Sequence, residues 1–175
     1  MPRMRLGLFL AAALLLPSAV PGAVKTASRE VRALIEKGLK LAAEQRHWEA
    51  LNCFDKATVL APGVALAWSN RGSALMNVKY YDKAAESYQR AIRLDPKDPY
   101  NYCNLGSAYL AMKNPKEALK VLEKGLKINP RFAPSLVNKA RALEALGRGR
   151  EAKALYEKAA TIDPRVMEYF KHGVE

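Results

Sequence analysis

The apolar positions of this chain recur at a step of 34 residues. When the stretch Ala65 to Asp98 is laid over its neighbours, Pro62, Pro96, Pro130 and Pro164 fall in one column. Counting Ala65 as position one, bulky residues occupy position four (Leu34, Trp68, Tyr102, Leu136), position eleven (Leu41, Leu75, Tyr109, Leu143) and position 24 (Phe54, Tyr88, Leu122, Tyr156). Small residues occupy position eight (Gly38, Gly72, Gly106, Ala140), position 20 (Ala50, Ala84, Ala118, Ala152) and position 27 (Ala57, Ala91, Gly125, Ala159). The chain therefore holds four units, 31–64, 65–98, 99–132 and 133–166. Apolar spacings of three and four within each half-unit predict two amphipathic helices joined by a tight turn. In the second unit these would be Ala65 to Val78 and Asp82 to Leu94. The proline column ends each second helix, since proline lacks an amide hydrogen and biases its predecessor away from helical angles. The third unit carries the clearest punctuation. Asp98 precedes Pro99 as a cap, and Asn114, Pro115 and Glu117 make a capping-box-like start for the next helix.

This period, with its Trp, Leu, Gly, Tyr, Ala, Phe, Ala and Pro columns, resembles the tetratricopeptide repeat. The resemblance covers 136 of 175 residues. It implies an all-α fold: a right-handed superhelical solenoid of helix-turn-helix repeats whose first helices line a concave side. One unit cannot bury its apolar face alone, whereas stacked units share a continuous core. Small residues at positions eight and 20 let the helices approach, and bulky residues at four, eleven and 24 fill the space between them. The family consists mostly of scaffolds whose partners differ from member to member, so the fold alone assigns no job.

Outside the repeats, residues 1–23 read as a secretory signal peptide: two arginines, an apolar run from Leu6 to Leu16, then Pro17 and small residues, with cleavage after Gly22 or Ala23. The run falls short of the roughly 20 apolar residues that span a bilayer. An uncleaved leader acting as a membrane tether is the alternative. Residues 24–30 form a polar lead-in with Ser28 as the N-cap of the first helix. At the other end, residues 167–175 are expected to form a short capping helix, with Phe170 at position four of a fifth register.

Composition adds charge to this picture and removes chemistry from it. The formal net charge is +12, from 29 basic and 17 acidic residues, and the leader's two arginines account for 2 of it. The four units carry +1, +2, +4 and +3 in order. This surplus favours an anionic partner, and it also fits a solvated outer surface. His47 and His172 have no neighbouring ligand cluster, so no metal is implied. There is no phosphate loop, nucleophile elbow or Ser, His and Asp constellation, so neither catalysis nor a cofactor nor a small-molecule substrate is expected. Cys53 and Cys103 sit two units apart, too far for the roughly 7 Å limit of a disulfide. Cys53 reads as a packing residue, and Cys103 either packs or presents a thiol to the groove.

The resemblance directs attention to position six of the first helices, which reads Glu36, Asn70, Asn104 and Asn138. Family members use asparagine here to hold an extended chain by its backbone, since an amide both accepts and donates. Asn is also the family's common residue at this position, so ligand binding and shared ancestry both account for it. Ser69, Ser73, Tyr100, Cys103, Ser107 and Arg141 complete the expected partner-binding groove, with Leu39 and Leu66 among its apolar shoulders. Chaperone-binding members clamp a terminal carboxylate with Lys and Arg at groove positions held here by Ser69, Ser73, Pro134 and Asn138, so a chaperone-tail receptor is not implied. The sequence reading is an exported protein-interaction scaffold, periplasmic or in the cell envelope, that binds a peptide or partner protein and helps assemble an envelope complex. A secreted or lumenal location is the alternative. Two rival functions are binding of an anionic polymer or membrane surface by the basic face of repeats 3 and 4, and a self-assembling structural unit. Nucleic acid ranks lowest among partners, because the leader points away from it.

Overall fold

In the computed structural model, residues 21–165 are described, with side chains from Ser28 onward. The proposed leader before residue 21 and the proposed capping helix at 167–175 lie outside the described residues. Among the described residues there are eight α-helices and no strand: α1 (Pro21–Ala43), α2 (His47–Leu60), α3 (Ala65–Asn77), α4 (Tyr81–Leu94), α5 (Pro99–Ala111), α6 (Pro115–Ile128), α7 (Ala133–Ala145) and α8 (Gly149–Ile162). None is long and apolar enough to cross a membrane. The first helix differs from expectation. It passes through Ser28, which therefore does not cap it. No proline or glycine lies between Ala23 and Lys37, and lengthening an existing helix is far easier than starting one.

Each hairpin is held by a contact between the small residue at position eight and the bulky one at position 24. A Cβ on Gly38 would lie 2.6 Å from Phe54, on Gly72 2.7 Å from Tyr88, and on Gly106 2.6 Å from Leu122. Any side chain there would collide with a ring or branch that is itself buried. The alanines at position 20 are all fully buried, as are Ala57, Ala91 and Ala159 at position 27. In the fourth unit Ala140 replaces the glycine; there Tyr156 is only half-buried, and its hydroxyl donates to Glu144 Oε2 at 2.6 Å.

The turns repeat as faithfully as the core. Gln45, Lys79, Lys113 and Gly147, one per unit, all have positive φ, between 57° and 77°. The following residue donates its N–H back to the first helix, as Arg46 does to Leu41 O at 2.9 Å and Tyr80 to Leu75 O at 2.9 Å. This is a Schellman-type end. The same residue then opens the second helix, its carbonyl accepting from Ala50, Ala84, Ala118 or Ala152. Such double use explains why Asn114 forms no capping box. Its N–H is given to Tyr109 O at 2.8 Å, leaving Glu117 nothing to bind in return, and its side chain makes no cap hydrogen bond. Asp98 does cap as expected, accepting from the Tyr100 N–H at 2.9 Å.

Neighbouring units are tied by a recurring set of contacts. Trp68 Nε1 donates to Pro62 O at 2.9 Å and the Tyr102 hydroxyl to Pro96 O at 3.1 Å, so the aromatic at position four fastens onto the proline column. Asp55 pairs with Arg71 at 2.6 Å and Glu123 with Lys139 at 3.1 Å, each joining a second helix to the next unit. Three of the four positive-φ turn residues carry a side chain, and an L-residue there costs about 1–2 kcal/mol relative to the ordinary helical region. Lys79→Gly and Lys113→Gly are each expected to stabilise the fold by about 0.5–1 kcal/mol once glycine's entropy is deducted, and Gly147→Ala to destabilise it by about 1 kcal/mol. Urea unfolding midpoints check this. Unchanged midpoints in all three variants would show the turns to be unstrained.

Candidate functional site

The first helix of each unit touches the first helix of the next: α1 with α3, α3 with α5, and α5 with α7. No second helix packs against another second helix among the described residues. First helices thus crowd together on the inside of the curve, and their shared face forms a concave groove. The groove is not uniform. The α5–α7 contact is much more extensive than the other two, and a layer of small polar residues lies in it.

That layer changes the role of several expected groove residues. Asn138 is buried rather than presented to the groove: its Nδ2 donates to Ser107 Oγ at 2.8 Å and lies 3.4 Å from Cys103 Sγ. It therefore joins two units of the framework and is no rung of an asparagine ladder. Ser107 accepts this bond and is half-buried. Cys103 is buried as well, and loss of hydration pushes its thiol pKa up, with hydrogen bonding from Ser135 and Asn138 offsetting this in part. A buried thiol held in its neutral form is a packing group, not a reactive one. Ser73 donates to Ser69 O at 3.2 Å and shares a 3.1 Å hydrogen bond with the Tyr88 hydroxyl, which reaches the groove floor past Gly72. Burial raises the Tyr88 pKa to about 12.

The N-terminal half of the groove is more open. Asn70 and Asn104 are half-buried on its face, and Asn70 Nδ2 is enclosed with no acceptor in the protein. Tyr100 is 62% exposed although its ring meets Phe132 edge-on at 4.6 Å. Arg141 is exposed toward the far end. Two residues that the sequence reading placed only among apolar shoulders stand well exposed, Leu39 at 49% and Leu66 at 57%. With Val31, Ile35 and Val64 they line a cleft of about 380 Å³ between the first two units, edged by Arg32 and Glu36. The available signal was leucine at positions nine and two, where units two and three carry serine and tyrosine.

Two measurements test this assignment of roles. Cys103 is expected to resist alkylation by a soluble maleimide in the folded protein and to react once urea unfolds it; equally fast labelling in both states would put the thiol at the surface. Tyr88 has a folded pKa above the ordinary value of 10, so its contribution is complete below pH 10 and is lost as pH rises toward 12. Tyr88→Phe is accordingly expected to flatten the fall of thermal stability over that window.

Comparison with known proteins agrees with this architecture. Residues 80–113 match a TPR-repeat family model, and residues 99–132 and 133–166 each match a tetratricopeptide-repeat model. Among solved structures, the crystal structure of MamA superposes with a TM-score of 0.71 at 26% identity, covering 85% of this chain and 86% of that one. The first TPR of Spaghetti (RPAP3), bound to the HSP90 peptide SRMEEVD, superposes with a TM-score of 0.66 at 26% identity, over 69% of this chain and 95% of that one. A thermophilic TPR protein of Thermus thermophilus shares the fold at 22% identity, with a TM-score of 0.71 over 78% and 77% of the two chains. No curated protein matches the chain. The chain belongs to the tetratricopeptide-repeat family, as a superhelical stack of tandem repeats of the kind that mediates protein–protein interaction.

Proposed function

We propose that this protein is an exported scaffold that captures an extended segment of a partner protein in the N-terminal half of its concave groove and helps assemble a complex of the cell envelope. The observation that carries this reading is the line of exposed apolar residues Leu39, Leu66 and Tyr100 on the first-helix face, beside the half-buried side chains of Asn70 and Asn104. Exposed apolar groups next to half-buried side-chain amides suit a chain that brings side chains to the first and a peptide bond to the second. A peptide bound to the related repeat domain of RPAP3 supports a peptide as the class of ligand. Export rests on the leader of residues 1–23.

The test is capture of partners, identified by cross-linking, with the full chain and two variants. Combining Leu66→Glu, Asn70→Ala and Asn104→Ala is expected to weaken recovery of the same partners by about tenfold or more, as loss of a central anchor does. Asn138→Ala is expected to leave recovery intact while lowering stability by about 1–2 kcal/mol, the cost of removing a buried hydrogen bond. Equal recovery by the parent and the triple variant would dispose of the groove as the binding surface.

A further inference from the structure

The second helices face outward, and α6 carries a charge pattern that the other three lack. Lys116, Lys120, Lys124 and Lys127 are all exposed, and their spacings of four, four and three set them in one stripe along the helix. At the equivalent positions α2 has Trp48, Asn52, Lys56 and Val59; α4 has Asp82, Glu86, Arg90 and Arg93; α8 has Arg150, Ala154, Lys158 and Thr161. The repeat therefore does not require lysine there. Like charges at these spacings repel along a helix; Lys116 in the first turn opposes the helix dipole, whereas Lys127 in the last turn is favoured by it. Relief within the protein is slight. Lys120 lies 3.9 Å from Glu117, Glu123 is engaged by Lys139, and the other three lysines have no carboxylate within ion-pair distance among the described residues.

A lysine row that the repeat does not require, and that finds few carboxylate partners within the protein, is accounted for by an anionic partner outside it. We infer that α6 docks the protein onto an anionic lipid surface through Lys116, Lys120, Lys124 and Lys127. Three features favour a bilayer over an acidic protein or a nucleic acid. All four residues are lysine, a flexible point charge suited to a diffuse field, and none is arginine, whose planar fork suits paired recognition of individual groups. A flat surface laid on a convex one touches it along a line, and the stripe lies along one outward helix. Beside it, Ile92, Tyr102 and Val121 line a shallow cleft of about 260 Å³ that also reaches Arg93 and Lys124, so apolar surface meets cationic charge as at a headgroup boundary. The groove opens on the opposite side, leaving it free to hold a partner while α6 rests on lipid.

Sedimentation of the full chain with vesicles tests this. Binding to phosphatidylcholine vesicles measures whatever the leader contributes, and the excess on vesicles containing phosphatidylglycerol measures the charge-driven part. Replacing Lys116, Lys120, Lys124 and Lys127 by Gln is expected to reduce that excess by about tenfold or more, since each lysine near a surface adds substantially to attraction. Replacing Lys37, Lys40, Lys79 and Lys153 by Gln, which removes the same net charge from other exposed positions, is expected to change it less than about threefold. The four-fold Lys→Arg counterpart on α6 is expected to retain binding, and circular dichroism is expected to show all variants helical. Absence of excess binding in the parent, equal losses in the two Gln variants, or binding of duplex DNA or polyglutamate without binding of vesicles would overturn the proposal.

Discussion

The structure depends on how closely two helices of one unit can lie. At Gly38, Gly72 and Gly106 the approach leaves no room for even one carbon, because Phe54, Tyr88 and Leu122 fill the space from the other helix. Packing of this kind fixes distance and angle together, since neither partner can shift without opening a void or a collision. The hairpin becomes a rigid brick, and the stack inherits its curvature from repetition of that brick.

A second constraint acts through the backbone. The turn leaves a single residue, Arg46, Tyr80, Asn114 or Arg148, to finish one helix and start the next. With both backbone groups committed, that residue's side chain is free to vary, and it does. Arg46 and Arg148 form two-pronged pairs with Glu49 and Glu151, while Tyr80 receives the ammonium of Lys83 over its ring at 5.3 Å. Different chemistry at one site is tolerated because backbone hydrogen bonds already fix the geometry.

The proposed roles rest on where repetition breaks. Between α5 and α7, Asn138, Ser107 and Cys103 draw two first helices together and close the C-terminal half of the groove. Between α1 and α3 there is no such layer among the described residues, and the gap remains as an apolar cleft. On the outside, α6 replaces the mixed charges of α4 with an unbroken lysine row. A partner segment inside and an anionic surface outside would then be held by opposite faces of one rigid frame.

Eight helices, their turns and the small-against-large columns were legible in the sequence, because the same physical requirement recurs every 34 residues and chance does not repeat itself four times. Asp98 and Pro99 could be read as a helix start for the same local reason. The fate of the asparagines could not. Asn70, Asn104 and Asn138 occupy one column, yet one is buried and two are half-buried, because exposure depends on how far apart adjacent first helices sit, and that is set by contacts between units. The thiol of Cys103 and the exposure of Leu39 and Leu66 were decided the same way. Periodicity determines what a single unit looks like; only the stacked structure determines which of its faces remain open to a partner.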